Sequence, residues 1–495
     1  MGGVIIIING VSSAKLSTIG MVLHAYDIIF YLGSWSTISY LGFAAPKYVF
    51  LFCSALALLA LVTWIAWQID GTRVARRNAF ACAALAAVLA VTAGTMKPDR
   101  WHTQYYWAAL YVSSFYSSWV ETAEALWRGQ IIKAAKAARG PAFETPDCRM
   151  AQKPPHIILI HQESLVQPEL FPTLAYDRDL DRLFASGDGQ VHKLRVETYG
   201  GASWLTEFSI LTGVSTYSFG GMRSFVQSLL AGKVRDSLTE ALAQCGYRNV
   251  LFYPMLKNFV SNTRFFNSIG LKEVFDQKAQ KAPTSRERDR FYYRNALDEM
   301  ERHITSSSQP LFTYIQTMSV HWPYDFPFAP EMKVKGGAPG TDEEMSEYLR
   351  RVAISRIDYE EFKQELRRRF PDEPILIMHY GDHQPTATRK LVKLEEPETD
   401  NYTIDGQSIA FITYYAVEWL GTAPPPRPLP KYDVIDVPYL GLILMQQAGL
   451  PLPDSYRERE RLLALCEGRY NGCGHTQDIL AFQRRLIDSN LVDRW

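Results

Sequence analysis

The first hundred residues of the chain consist of long apolar runs separated by short polar segments. Residues 48–69 form a run of 22 residues without a charged side chain, and residues 78–96 form another of 19. Each run is long enough to cross a hydrocarbon core of about 30 Å as an α-helix. The pattern predicts a transmembrane anchor over residues 1–96, with these two spans and a partial span near residues 1–11. Two buried helices of a soluble domain are the alternative.

The short loop between the two predicted spans indicates their orientation. It carries Arg73, Arg76 and Arg77, and short basic loops lie on the cytoplasmic side of a membrane. We therefore expect everything from Lys97 onward to be extracytoplasmic.

Aromatic side chains recur every four residues after the anchor. They are Trp107, Tyr111, Phe115 and Trp119. One-sided apolar spacing predicts an amphipathic helix at the membrane interface, within an interfacial helix and linker of residues 97–153. A helix packed on the soluble domain fits the same spacing.

From residue 154 to residue 495 the pattern changes to short apolar runs separated by helical stretches. Continuous β-rich runs alternating with helices predict an α/β domain with a mostly parallel central sheet covered on both faces. In such a sheet, polar residues that follow the strand C-termini meet in one crevice. The predicted strands are residues 156–160, 249–253, 311–316, 375–378 and 409–414.

Three of these strands run into side chains that bind metal ions. Glu163 follows the first strand and His321 follows the third, while Asp382 and His383 follow the fourth. Carboxylate oxygens and imidazole nitrogens are ligands for divalent cations. Each residue alone is a weak signal, but their joint placement at strand ends predicts a metal site in the crevice.

A tight turn precedes a further candidate, Ser203. Gly200 and Gly201 permit the turn, and residues 204–211 have helical character. A serine at a helix N-terminus lies where backbone N–H groups and the helix dipole favour an oxyanion or a phosphate. A simple N-cap, with Glu207 near the first turn, is the alternative.

Charge and cysteine content narrow the functional classes. The 52 basic and 52 acidic residues give a formal net charge of zero, which offers no electrostatic reason to expect a nucleic acid partner. Four of the six cysteines follow the anchor, an even number that is compatible with two disulfides in an extracytoplasmic compartment. They are Cys148, Cys245, Cys466 and Cys473, and the last two are near enough in sequence to close a small loop.

Four short motifs occur in an order that resembles a known family. They are HQES at 161–164, GGASWLTEF at 200–208, SVHWPY at 319–324 and YGDHQP at 380–385. This succession resembles the lipoteichoic-acid-synthase-like branch of the alkaline phosphatase and sulfatase superfamily. That branch includes membrane-anchored phosphoglycerol transferases and is related to phosphoethanolamine transferases. The resemblance implies an alkaline-phosphatase-like α/β/α sandwich for residues 154–495.

The family pattern implies roles for individual residues. By resemblance, Glu163, Asp382 and His383 are metal ligands. Ser203 is both a ligand and the nucleophile; the family commonly has threonine there, and serine retains the hydroxyl. His321 matches a histidine that faces the substrate phosphate or the leaving group.

The substrate-binding segment departs from the family pattern. The family has His, Trp and Arg at positions that this chain fills with Tyr253, Val260 and Asn262. We expect Lys257 or Arg264 to replace the missing phosphate contacts, with Tyr253 also binding substrate. The departure leaves the transferred head group open.

The resemblance also implies a reaction and a location. We expect one divalent metal, Mn²⁺ or Zn²⁺, with Mg²⁺ less favoured because one ligand is an imidazole. The expected reaction moves phosphoglycerol or phosphoethanolamine from a phospholipid donor to an envelope glycan acceptor, through a covalent Ser203 intermediate. The expected location is the bacterial inner membrane, multi-pass, with a periplasmic catalytic domain. Family members usually have five spans, so further spans upstream of Met1 are expected.

Other functions fit part of the pattern. A membrane-tethered sulfatase-like hydrolase or phosphodiesterase would use water as the acceptor. A formylglycine sulfatase is disfavoured, because Leu205 and Glu207 stand where its motif has Pro and Arg. A non-catalytic envelope scaffold or sensor would not need the intact ligand set.

For His161 and His379 we favour a buried structural role over a supporting role at the site.

Overall fold

A computed structural model shows two compact units, and each is described by itself. The helical unit consists of Met1–Ile131, Gly220–Phe225 and Asn401–Thr403, and the sheet unit of Ile132–Phe219, Val226–Asp400 and Ile404–Trp495. The residues that the structure describes are 2–19, 22–32, 46–69, 71, 74–95, 111–128, 132–137, 140–144, 148, 153–257, 262–334, 340–397, 407–421 and 427–493.

The described residues of the helical unit form four long helices. Within the second, residues Val49–Ile69 are long and apolar enough to cross a membrane, and none of that stretch is buried. The third helix, Arg76–Thr95, contains nearly all of the second predicted span. The first, Gly2–Ile19, contains a shorter apolar stretch, Gly3–Leu16. A multi-pass anchor therefore stays a prediction. The helices are α1 (Gly2–Ile19), α2 (Pro46–Ile69), α3 (Arg76–Thr95) and α4 (Tyr111–Arg128).

Helix α4 contains most of the predicted aromatic stripe. It packs against α1 and α3 inside the helical unit, and the hydroxyl of Ser118 accepts a hydrogen bond of 2.8 Å from the backbone N–H of Ala25. Trp119 and Trp127 remain exposed on α4, while Trp107 lies outside the described residues. The placement of this helix at a membrane interface stays a prediction.

The sheet unit alternates strands and helices along the chain. Its strands are β1 (His156–Gln162), β2 (His192–Arg195), β3 (Arg248–Phe252), β4 (Glu273–Phe275), β5 (Leu311–Gln316), β6 (Ile375–Gly381), β7 (Ile412–Leu420) and β8 (Val434–Asp436). Its α-helices are α5 (Ser203–Thr212), α6 (Val226–Leu230), α7 (Leu238–Gln244), α8 (Asn262–Ser268), α9 (Asp289–Ser306), α10 (Glu343–Arg369), α11 (Arg389–Glu395), α12 (Leu440–Gln447), α13 (Asp454–Leu465) and α14 (Thr476–Asp488).

The eight strands found among the described residues form one sheet in the order β4-β3-β5-β1-β6-β7-β2-β8. The pairings from β4 to β6 are all parallel, and β2 pairs with β8 in parallel. Strand β7 runs antiparallel to both β6 and β2. The prediction of a mostly parallel sheet is confirmed, and β1 lies at its centre.

Strand β1 shows why the central strands are continuous apolar runs. All of its residues are buried. Ile158 and Ile160 face a core cluster that includes residues of α9 and α10, and the alternation of side chains turns Ile157 and Leu159 to the opposite face, where they are also buried. The sheet is therefore covered on both faces, as predicted.

Two disulfides join cysteines of the sheet unit. Cys148 pairs with Cys245, and Cys466 pairs with Cys473, which is seven positions further along the chain. Both agree with the even cysteine count, and the second is the small loop that its spacing indicated.

Gly381→Ala should destabilise the sheet unit. A Cβ at this position would overlap the backbone carbonyl oxygen of Leu165, and forcing atoms into a packed interior typically costs about 1–3 kcal/mol. We expect a lower melting temperature for the full chain in detergent, measured with a chelator so that metal binding does not contribute. Gly474→Ala is the control, since nothing lies within 4 Å of a Cβ there. Equal melting temperatures for Gly381→Ala and the parent chain would contradict the close approach.

Candidate active site and metal centre

The site forms where three adjacent strands end. Strands β5, β1 and β6 are parallel neighbours, and the register pairs His161 with Tyr380 and Gln162 with Gly381. Because parallel strands end at the same edge, Glu163 and Asp382 emerge side by side.

A left-handed turn brings Ser203 to the same edge. Gly200, Gly201 and Ala202 have φ angles of 71°, 145° and 65°, and α5 begins directly afterwards at Ser203. A left-handed alanine is strained, and such strain is concentrated at functional sites. The N-cap position belongs to Ala202, and no side chain caps the helix. The simple N-cap alternative for Ser203 is therefore wrong.

The Ser203 hydroxyl faces two of the predicted metal ligands. Its Oγ donates a hydrogen bond of 3.1 Å to Oε2 of Glu163 and lies 3.3 Å from Nε2 of His383. Ser203 is also the first residue of α5, and backbone N–H groups at a helix N-terminus favour an anion such as phosphate.

His383 presents its Nε2 atom to the cluster. Its Nδ1–H donates to the backbone oxygen of Gln384 at 2.9 Å, so that in the neutral ring Nε2 carries the free lone pair. This Nε2 lies 3.2 Å from Oδ2 of Asp382 and 3.5 Å from Oε1 of Glu163. The tautomer is the one that binds a metal.

The two carboxylate oxygens of Asp382 indicate whether the cluster can hold a cation. Its Oδ1 accepts a hydrogen bond of 2.7 Å from the backbone N–H of Ser164. Its Oδ2 is buried and has no hydrogen-bond partner among the described residues. Two histidine nitrogens lie beside it, at 3.1 Å for His161 and 3.2 Å for His383. Buried polar atoms are rarely left unpaired, and a divalent cation among these donors would satisfy this oxygen.

His161, for which the sequence analysis favoured a buried structural role, lies in the cluster. Donor atoms of His161, Glu163 and Asp382 all lie within 4.8 Å of one another. The available signal was spacing, because a histidine two residues before a glutamate on a strand points to the same face. His379, by contrast, lies buried against Tyr414, with Nδ1 at 3.0 Å from the hydroxyl.

The charged groups of the cluster shift one another's pKa. Burial would raise the pKa of Glu163, but His161, His383 and His321 outweigh burial and hold it well below its ordinary value. Burial would lower the pKa of the histidines, but Asp382 and Glu163 raise it to about 10 for His161 and about 9 for His383. The carboxylates therefore draw positive charge into the cluster, as protons on imidazole or as a metal ion.

His321 lies in the loop that follows β5, and side chains of two helices hold this loop by hydrogen bonds. The buried guanidinium of Arg351 on α10 donates to the backbone oxygens of His321 at 2.8 Å and Phe326 at 3.0 Å. Asp289, at the start of α9, accepts a hydrogen bond of 2.9 Å from the backbone N–H of Ser319. These contacts fix the loop, while the His321 side chain stays partly exposed.

The predicted substrate-binding residues are not part of the buried cluster of donor atoms. Tyr253 is buried, and its ring packs against Phe266 at 5.7 Å. Lys257 and Arg264 are exposed. Arg264 lines a surface cavity with residues 231, 232, 263, 267 and 268. Val260 and the Asn262 side chain lie outside the described residues, and the roles of all these residues stay predictions.

Comparisons with known proteins agree with this arrangement. A family model described as Sulfatase matches residues 193–413, a segment that holds Ser203, Asp382 and His383. An uncharacterized protein of Haemophilus influenzae is 23% identical over 337 residues, which is 64% of this chain and 57% of that protein. The match thus spans a little over half of the relative's length.

Two solved structures share the fold. One is the Streptococcus pyogenes phosphoglycerol transferase GacH in complex with sn-glycerol-1-phosphate, 17% identical, with 70% of this chain and 87% of that chain covered and a TM-score of 0.51. The other is the lipooligosaccharide phosphoethanolamine transferase EptA of Neisseria meningitidis, an integral membrane protein, 13% identical, with 97% and 86% covered and a TM-score of 0.53. These two structures confirm the predicted fold class, and the match to the Sulfatase family model agrees with the predicted resemblance.

Asp382→Asn should weaken metal binding by at least about 100-fold. Groups that only support a ligand contribute about 10–100-fold to metal affinity, and this change removes the charge of a ligand itself. Equilibrium dialysis of Mn²⁺ and Zn²⁺ against the chelator-stripped full chain in detergent measures the effect. Asp433→Asn alters a carboxylate that is 83% exposed and serves as the control. Equal affinity in Asp382→Asn and the parent chain would rule out this site.

Proposed function

We propose that this protein is a membrane-anchored, metal-dependent transferase that moves phosphoglycerol or phosphoethanolamine from a phospholipid to an envelope glycan. The observation that carries the proposal is the position of the Ser203 hydroxyl. It lies at the strained start of α5, 3.1 Å from Glu163 and 3.3 Å from His383. The shared fold of a phosphoglycerol transferase and a phosphoethanolamine transferase supports these two head groups.

The proposed metal ligands are Glu163, Ser203, Asp382 and His383. A bound Mn²⁺ or Zn²⁺ would lower the pKa of the hydroxyl and neutralise charge that develops on the phosphoryl oxygens. The buried Oδ2 of Asp382, for which the described residues supply no hydrogen bond, supports this ligand set. Exposed Lys257 and Arg264 are the proposed contacts for the head group.

The first half-reaction forms a covalent intermediate on Ser203. Ser203 enters this step as the alkoxide, its hydroxyl proton having passed to water. Its Oγ forms a bond to the phosphorus of the phospholipid head group, and the bond from phosphorus to the diacylglycerol oxygen breaks. His321 gives a proton to the departing alkoxide, which leaves as diacylglycerol. The backbone N–H groups at the start of α5 hold a phosphoryl oxygen.

The second half-reaction transfers the group to the acceptor. A sugar hydroxyl loses its proton to His321, its oxygen bonds to phosphorus, and the bond from phosphorus to Ser203 Oγ breaks. The enzyme then returns to its starting protonation state.

Location at an outer membrane face is part of the proposal. The apolar stretch Val49–Ile69 supports a membrane anchor, and a tethered enzyme meets both the donor lipid and the released diacylglycerol in the bilayer. The two disulfides support an oxidising compartment such as the periplasm.

A hydrolase with the same first step is the second candidate, and the Sulfatase family match favours it. In that case water replaces the sugar hydroxyl. Incubation with vesicles of head-group-labelled phosphatidylglycerol or phosphatidylethanolamine, with and without envelope glycan, separates the two. Label on the glycan identifies a transferase, and free glycerol phosphate or phosphoethanolamine in both arms identifies a hydrolase.

Ser203→Ala should lower head-group release and transfer by at least about 10⁴-fold, since loss of the nucleophile of a covalent enzyme costs up to about 10⁶-fold. The vesicle assay above measures it. Ser203→Thr keeps a hydroxyl and should retain measurable activity, and Ser306→Ala, on the exposed end of α9, should match the parent chain. Full activity in Ser203→Ala would disprove the mechanism.

Arg351→Lys should lower turnover by about 10–100-fold without changing metal affinity. A lysine ammonium cannot reproduce the planar fork that holds two backbone oxygens, and small displacements of catalytic groups have effects of this size. Turnover in the vesicle assay and Zn²⁺ dialysis are compared. Arg368→Lys, on the exposed side of the same helix, is the control. Unchanged turnover would show that His321 needs no such bracing.

A further inference from the structure

His161 is buried beside the cluster, and one of its ring nitrogens faces the carboxylates. It is the sixth residue of β1, 2% exposed, at the strand end that carries Glu163. Its Nε2 points at the carboxylates, 3.1 Å from Oδ2 of Asp382 and 3.8 Å from Oε2 of Glu163.

The other ring nitrogen of His161 is held by two tyrosines. Nδ1 lies 3.0 Å from the hydroxyl of Tyr380 and 3.4 Å from that of Tyr314, and the two hydroxyls are 2.8 Å apart. When Nδ1–H donates to a tyrosine oxygen, Nε2 carries the free lone pair. The buried carboxylate of Glu207, four residues after Ser203, accepts a hydrogen bond from Nε2 of Gln316 and interacts electrostatically with Tyr314. A metal-binding histidine is oriented by outer partners of this kind.

The carboxylate side has the geometry of a shared metal ion. Oδ2 of Asp382 is buried and lacks a hydrogen-bond partner among the described residues, although His161 and His383 both place Nε2 within 3.2 Å of it. The Nε2 atoms of both imidazoles therefore face the same carboxylate oxygen, and a cation bound there would be shared by all three atoms.

We propose that His161 is a fifth protein ligand of the metal ion, held in its ligating tautomer by the relay Tyr380–Tyr314–Glu207. This inference rests on the metal site of the proposed function and deepens it. Two imidazoles and three oxygens shift the preference further from Mg²⁺ and toward Zn²⁺ or Mn²⁺, because imidazole is a ligand of transition metals.

His379 can be compared with His161 within the same sheet. It is also buried, and its Nδ1 lies 3.0 Å from the hydroxyl of Tyr414. Burial and the positive charge of Lys363 lower its pKa to about 3, and it is absent from the cluster of donor atoms. His161 differs from His379 in that carboxylates face its second ring nitrogen.

The number of imidazoles bound to zinc tests the proposal directly. X-ray absorption at the zinc edge, on the full untagged chain loaded with one equivalent of Zn²⁺ in detergent, counts imidazoles from their multiple scattering. We expect two in the parent chain, one in His161→Gln, one in His383→Gln, and two in the surface control His475→Gln. One imidazole in the parent chain, or two in His161→Gln, would overturn the proposal. The parent-chain count needs no variant to fold.

The relay has its own matched pair of variants. Tyr380→Phe removes the hydroxyl that orients His161, and we expect the Kd for Zn²⁺ to rise by about 10–100-fold. Tyr414→Phe removes the equivalent hydroxyl beside His379 and should leave that Kd unchanged. Equal effects of the two variants would contradict the relay.

These outcomes separate the inference from the function on which it rests. A chain that binds zinc through one imidazole and still transfers head groups would overturn the inference alone. A chain with two imidazoles and no head-group release or transfer would overturn the proposed function alone.

Discussion

The carboxylates of Glu163 and Asp382 are buried side by side at the ends of neighbouring strands, and their negative charge is the constraint on which the site depends. Buried carboxylates remain charged only when positive groups surround them. Here His161 and His383 face them, and the Ser203 hydroxyl donates into the same cluster. The arrangement that satisfies two buried anions is also one that can bind a cation and activate a nucleophile.

The centre of the fold could be predicted because its strands are buried on both faces. Strands β1, β5 and β6 are continuous apolar runs, and their predicted starts agree with the structure. Strands β2, β4 and β8 have only three or four residues and lie toward the sheet edges, so they produce no comparable run. The antiparallel direction of β7 depends on how the chain returns to the sheet, which hydrophobicity does not encode.

The site could be predicted as far as strand ends and motif order allow. Glu163, Asp382 and His383 follow strands that prove to be neighbours, so the sequence predicts that these side chains lie together. The choice between an N-cap and a nucleophile at Ser203 depends on the left-handed conformation of Ala202, which an alanine in a sequence does not reveal. The place of His161 depends on tyrosines that other strands supply.

The central claim is that Ser203 accepts a head group from a phospholipid with the help of the metal cluster. The most direct measurement is mass spectrometry of the Ser203 peptide after the full chain is incubated with phosphatidylglycerol or phosphatidylethanolamine vesicles without acceptor and quenched in acid. The account predicts one phosphoglycerol or phosphoethanolamine group on Ser203, and its loss when the metal is chelated. Head-group release with an unmodified Ser203, or an adduct on another residue, would contradict it.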